Sequence, residues 1–517
     1  DITSTTETVI IGSFAGSKLN STDADGTVVI GMNALATATD AQRNVVIGYE
    51  AANKLKTDDN VAIGFRSMRY IGDTAGSSHG ENNIAIGTYS LGGGDSSTYA
   101  NNTGYKNIAI GYQALGNGHS TAFTANENVA IGHNVMNYGG NMVSSVAIGS
   151  TAGLYATGSY NTFVGAEAGK AITDTGGVNT CIGARAGHDL TTGSHNIAIG
   201  TDALSKEDGH GYNVAVGVDA LEELNAGAHS VTTAVGYQAG HELTSGIHNV
   251  FIGGYAGDRF TDADYNVAIG YQALTADRKG NRSTAVGMGS LLNQDHSTST
   301  DACNTAVGCA AGNQITTGVN NVCIGELSAA PNDDMSGEAP LTTGNNNVLV
   351  GVKAQVSAAD ADAQVVLGFE CTGASDTSLT FGKAATDSNI DFGATSITAP
   401  SDVRLKEDIQ DEKVGLDFIN ELRPVTFLWK KAKDVPSEMK VHDPDSEERV
   451  MNGKHNHGFI AQEVKEAIDK YDIKEGFDMW KEDDADGRQR VAPSALIPML
   501  VKAIQELSAE VTKLKGE

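Results

Sequence analysis

The stretch Asn266-Val267-Ala268-Ile269-Gly270-Tyr271-Gln272-Ala273 decides the fold, because versions of its first five residues recur twenty times. The copies end at Gly12, Gly31, Gly48, Gly64, Gly87, Gly111, Gly132, Gly149, Gly165, Gly183, Gly200, Gly217, Gly236, Gly253, Gly270, Gly287, Gly308, Gly325, Gly351 and Gly368, and the commonest step is 17 residues. A fixed step of this size is the signature of a solenoid in which each repeat stacks on the next. Aligned on the glycine, the residue three before it is Val, Ile or Thr in every copy, and the residue just before it is Ile, Val or Leu. Between them stands Ala in eleven copies and otherwise Cys, Phe or another aliphatic. Alternate residues of a strand point to opposite faces, so both faces are apolar and both are expected to be buried. One solenoid core buries one face; the second implies neighbouring chains around a common axis, and three chains are expected. The residue three after the glycine is Ala, Ser or Cys in nineteen copies, with Val135 the exception, which predicts close packing there. Asn precedes the strand in fourteen copies, as at Asn44, Asn60, Asn107, Asn196 and Asn266. Asn tolerates left-handed turns and stacks in ladders, while glycine permits a sharp turn in every coil.

The composition changes near residue 400. Residues 1–400 hold 56 of the 62 glycines and carry 16 Lys+Arg against 38 Asp+Glu; residues 401–517 carry 19 against 26. No proline precedes Pro331, as suits a regular repeated backbone. The net charges of −22 and −7 repel polyanions, so nucleic acid is not an expected partner. Cys181, Cys303, Cys309, Cys323 and Cys371 lack zinc-site spacing and read as small buried hydrophobes; Cys181 and Cys323 take the place of the strand alanine. No disulfide framework, metal or cofactor is expected. No apolar run is long enough to span a membrane, and the opening at Asp1, with no start Met or apolar leader, reads as a piece of a longer chain.

At roughly 4.8 Å per coil, twenty coils make a rod on the order of 100 Å long. Over most of residues 1–370 the Asn-Val-Ala-Ile-Gly phrase resembles the repeats of the β-roll heads of trimeric bacterial adhesins and the shafts of phage tail fibres, with a longer period than the adhesin heads. Insertions at about 71–82, 92–106, 116–127, 293–303 and 328–346, with Tyr99, Tyr105 and His119, are expected to project as loops, either as solvent-exposed decoration or as a host-surface or glycan contact.

After residues 375–400, read as a short β tail closed by Pro400, comes Ser401-Asp402-Val403-Arg404-Leu405-Lys406. It is followed by Leu422-Arg423-Pro424-Val425 with Phe427 and Trp429, by His457-Gly458-Phe459-Ile460-Ala461-Gln462-Glu463-Val464, and by Ala495-Leu496-Ile497-Pro498. These four ordered blocks resemble the intramolecular-chaperone autoproteases at the ends of phage endosialidases, tailspikes and tail fibres, a domain also found in a eukaryotic membrane-bound transcription factor. The resemblance implies a Ser–Lys dyad that cuts just before the serine, at Pro400–Ser401, with Ser401 as nucleophile and Lys406 as general base. A lysine acts as a base only when neutral, which calls for desolvation or a nearby cation. The spacing of five puts the two side chains on one face of neither a helix nor a strand, so a turn between them is required. Asp402 is a candidate for site support or a cap of the following segment, and His457 for site support or a structural role. Glu482-Asp483-Asp484-Ala485-Asp486-Gly487 reads as a solvated loop without the full ligand series of a calcium site.

Near the C-terminus Ile497, Leu500, Ile504, Leu507, Val511 and Leu514 step by 3, 4, 3, 4 and 3, a coiled-coil seam or a core-facing helix. Lys502, Glu506, Glu510 and Lys513 are expected on its solvated side. The fold class is therefore mainly β: a trimeric parallel β-solenoid or β-roll fibre of about 17-residue repeats, then a small α+β chaperone domain ending in a coiled-coil helix. The shaft is placed at 1–374, the connector at 375–400, and the self-cleaving domain at 401–517 with its terminal helix over 495–515. The functional expectation is a phage-type tail fibre for host attachment, a homotrimer folded in the host cytoplasm and carried on the virion. Its partners would be a host surface receptor, including glycan, and other tail or baseplate proteins through an N-terminal region not in this sequence. Its enzymology would be a single self-cleavage as a serine endopeptidase. A glycan-degrading tailspike needs a carboxylate pair in a groove, and the acids here form no recurrent pair. A trimeric bacterial adhesin is disfavoured by the cleavable domain.

Overall fold

The computed structural model describes residues 7–19, 25–71, 80–92, 103–116, 124–139, 142–173, 177–330, 340–384, 386–439, 441–473, 477–483 and 487–516. Tyr99, His119, Pro331 and Asp484 to Asp486, with most of the insertions near 71–82, 92–106, 116–127 and 328–346, lie outside the described residues. Two compact units emerge, Asp1–Pro400 and Ser401–Glu517.

The first unit is a parallel β-solenoid. Each repeat supplies one short strand, such as Val250–Ile252 or Val267–Ile269, and successive strands pair in parallel and in exact repeat register (Val250↔Val267, Phe251↔Ala268, Ile252↔Ile269). The middle strand residue, from Val29 through Ala268 to Val366, is wholly buried. Its two flanking residues are half-buried or exposed along the whole stack, so a single chain buries one strand face and leaves the other, entirely Val, Ile, Leu and Thr, facing outward.

The turn after each strand explains the glycine and the small residue. Gly253 sits at φ +130, and a Cβ there would lie 2.6 Å from the carbonyl oxygen of Gly270 in the next coil. The column of glycines is thus a line of backbone contact as well as a left-handed turn. Three residues on, the amide of Ala273 reaches back to Gly270 O at 3.3 Å, closing a turn whose side chain is buried against the stack. The asparagine row is a ladder of a particular kind. Asn179 Oδ1 accepts the backbone N–H of Asn196 at 2.9 Å, and Asn196 Oδ1 accepts that of Asn213 at 3.0 Å. Asn196 Nδ2 meanwhile donates across the coil to His210 O at 3.0 Å. The left-handed residue expected at Asn is instead the one before it, as at His195 (φ 60) and Tyr265 (φ 61).

Two expectations need correction. The insertion at 293–303 does not project: Gly280–Asn281 and Thr300–Asp301 pair in parallel, His296 is only 5% exposed, and the longer coil stays in the stack. Cys181, Cys323 and Cys371 are buried, but Cys303 and Cys309 are only partly so; all five are free thiols. Burial pushes the Cys181 and Cys323 thiols up to about 12, so both are inert packing groups. At its end the stack changes direction: Ser378–Lys383 continues the parallel ladder from Val365–Phe369, and Ser388–Asp391 then pairs antiparallel with it.

The second unit is a small α+β assembly. Helices α1 (Leu416–Glu421), α2 (Ala461–Tyr471) and α3 (Ile497–Lys515) accompany two short antiparallel pairs, Val425–Phe427 with Asn456–Gly458 and Trp480–Glu482 with Gln489–Val491. Phe418 of α1 is the centre of the core, edge-on to Tyr471 at 5.5 Å and to Phe477 at 5.9 Å, with Val464, Ile468, Met479, Leu496 and Met499 around it. The inner face of α3 is Met499 and Ala503. Its seam residues Ile497, Leu500, Ile504, Leu507, Val511 and Leu514 are exposed, Ile504 at 66%, which settles the choice between core-facing helix and open seam. Glu506 is not simply solvated: its Oε2 accepts the N–H of Leu416 at 2.8 Å and caps α1, whose N-cap Gly415 has no side chain to do so.

Candidate active site

Ser401 opens the second unit, and the next five residues make the turn that its spacing from Lys406 demands. Asp402 is the N-cap of a single 3-10 turn over Val403–Leu405. Its Oδ1 accepts the N–H of Arg404 at 2.8 Å, and both carboxylate oxygens take the Arg404 guanidinium. Arg404 thereby holds the Asp402 carboxyl below the usual range. The amides of Leu405 and Lys406 fold back onto Asp402 O at 3.0 Å and Val403 O at 3.2 Å. Reversing the chain in this way lets Lys406 Nζ donate to Ser401 Oγ at 2.7 Å.

The two residues that sequence reasoning named as nucleophile and base are therefore in direct hydrogen-bond contact, the geometry a base needs before it can take a hydroxyl proton. Asp402 shapes the turn and makes no hydrogen bond to either. His457 lies on the strand Asn456–Gly458, opposite Thr426, and has no hydrogen bond to Ser401 or Lys406. Residues 401–413 are exposed throughout, Ser401 and Lys406 included, so the desolvation that a neutral lysine calls for is not supplied by the single chain. Val403, Leu405 and Ile409, apolar side chains around the dyad, are exposed as well.

Beyond the dyad, the motif blocks are held to one another. Arg423 and Glu463, from the second and third blocks, form an ion pair with two hydrogen bonds, and Phe427 stands edge-on to Trp429 at 5.3 Å. Sequence reading quoted both blocks without foreseeing that pair. Glu506 was missed as a cap because its partner is a backbone amide 90 residues away. In the acidic segment Asp483 is ion-paired with Arg490 at 2.7 Å.

Residues 401–473 match the family described as chaperone of endosialidase. No curated protein and no solved structure matches the chain. The match begins at the serine of the dyad, the first residue of the second compact unit.

Proposed function

We propose that this chain is a trimeric attachment fibre of the phage-tail type whose C-terminal unit aligns three copies, drives their folding and is then released by one cut at Pro400–Ser401. The carrying observation is the Lys406 Nζ–Ser401 Oγ contact of 2.7 Å at the first residue of the chaperone-family match. In the reactive form, neutral Lys406 accepts the hydroxyl proton and Ser401 Oγ attacks the Pro400 carbonyl carbon. The C–N bond breaks as the amide nitrogen takes a proton, leaving an ester between Pro400 and Ser401 Oγ. Water hydrolyses that ester, giving a carboxylate on Pro400 and a free amine on Ser401.

Two open apolar surfaces support three chains: the outward strand face of the solenoid and the α3 seam. A continuous aliphatic face running the length of a rod is matched in period and extent by another copy of the same rod. Docked copies would also cover the exposed dyad and strip water from Lys406, so that assembly precedes cutting. Once the aligning unit has left, the three rods have no means of re-registering, and the trimer becomes kinetically stable.

The test is intact mass of the freshly expressed chain beside Ser401→Ala and Lys406→Ala. The proposal expects two fragments divided at Pro400–Ser401 in the wild type and one uncut chain in both variants. A full-length wild-type chain, or fragments that persist in either variant, would refute the proteolytic step.

A further inference from the structure

Seven residues after its glycine, several coils bury a large apolar side chain, as at Leu190, Leu224, Leu243, Phe260 and Ile315. Two coils place an acid there instead. Glu207 and Asp277 are both 0% exposed, and each precedes a coil longer than 17 residues, Gly217 to Gly236 and Gly287 to Gly308. Both acids gather backbone amides in the same way. Glu207 accepts from Gly209 and His210, and from Ala226 of the next coil; Asp277 accepts from Lys279 and Gly280, and from His296 of the next coil. Each also faces an imidazole: Glu207 Oε1 lies 3.4 Å from His210 Nδ1, and Asp277 Oδ2 lies 3.6 Å from His296 Nδ1.

The two nests then diverge. Asp277 takes a further hydrogen bond from the buried amide of Gln294, and its histidine is sealed inside. Glu207 has no such side-chain donor. The neighbouring Asp208 is exposed, and the oxygens of Glu207 and Asp208 lie within 4.8 Å of each other and of a His210 ring nitrogen. His210 Nδ1 is itself shut off from solvent and makes no hydrogen bond. Two ligands about 2.1 Å from a tetrahedral ion sit about 3.4 Å apart, and the His210–Glu207 separation of 3.4 Å meets that spacing.

We propose that Glu207, Asp208 and His210 form a binding site for one first-row divalent cation of the zinc class, which staples the turn at 207–210 to the longer coil that follows. One imidazole with two carboxylates is a borderline-to-hard donor set, suited to Zn²⁺ or Co²⁺ over thiolate-seeking ions. Sequence reading expected no metal from the spacing of the cysteines and from the acidic run at 482–487, and did not consider these three residues. What selects them is the burial of Glu207 and the stranded His210 nitrogen.

The test uses the full-length, untagged chain, stripped with chelator and titrated with Co²⁺ by visible absorption and with Zn²⁺ by calorimetry. One ion per chain is expected at micromolar affinity. His210→Ala and Glu207→Gln should each weaken binding by more than about tenfold, and Asp277→Asn should leave it unchanged. His210→Ala keeps the backbone amide that Glu207 accepts, so it decides the matter if Glu207→Gln disturbs the coil. Zn²⁺ should also slow amide exchange over 205–229 in the wild type and not in His210→Ala. Absence of binding in the wild type, or equal binding in His210→Ala, would overturn the site.

Discussion

At the scale of single residues the repeat is held by backbone contacts that admit few side chains. Gly253→Ala would put a Cβ 2.6 Å from Gly270 O at a φ of +130. It should cost at least about 1–3 kcal/mol, read as a lowered melting temperature and faster amide exchange in the coils on either side. Asn196→Ala strips the acceptor from the buried amide of Asn213 and the donor from His210 O, and should cost about 1–3 kcal/mol by the same measurements. Asn196→Asp, which keeps the acceptor, should protect the Asn213 amide better than Asn196→Ala. The glycine, the small residue after it and the asparagine could all be read from internal alignment, because each serves a contact repeated in every coil. The left-handed backbone at His195 or Tyr265 could not, since those positions vary and the stack imposes the conformation from both sides.

Among elements, the coil with Asp277 and the longer coil after it show why one insertion stays in the stack. The buried carboxylate seats the next coil's backbone at His296. Its folded pKa is lowered through His296 and Gln294 against the cost of burial, so its contribution to stability is present above the unfolded value near 3.8 and is lost as pH falls further. Glu207 has the opposite sign: its folded pKa is raised by burial, so its cost is felt at neutral pH and relieved as pH falls through the folded value. Asp277→Asn should therefore flatten the acid limb of the stability curve, measured by melting temperature as pH is lowered below about 4, whereas Glu207→Gln should not. In the second unit, the heptad spacing predicted a seam for α3, and the structure leaves that seam open while Met499 and Ala503 face the core. Glu506 escaped sequence reading because its role as a cap depends on how α1 and α3 pack.

For the whole molecule, the change of composition near residue 400 and the boundary between compact units at Pro400 and Ser401 mark the same place. Ser401 and Lys406 were paired by the family resemblance; the 3-10 turn between them was not legible, because a five-residue spacing fits no regular element. Exposure of Ser401 and Lys406 in a single chain makes cutting contingent on assembly in this account. Charge on the seam should therefore stop both, and Leu507→Asp is the chosen variant because Leu507 is exposed and away from the core. The most direct test is native mass spectrometry of the wild type and Leu507→Asp, with intact mass taken on the same samples. The account predicts trimers of residues 1–400 and separate 401–517 fragments in the wild type, and uncut chains that do not form trimers in the variant. A variant that fails to trimerise and is nonetheless cut as completely as the wild type would contradict it.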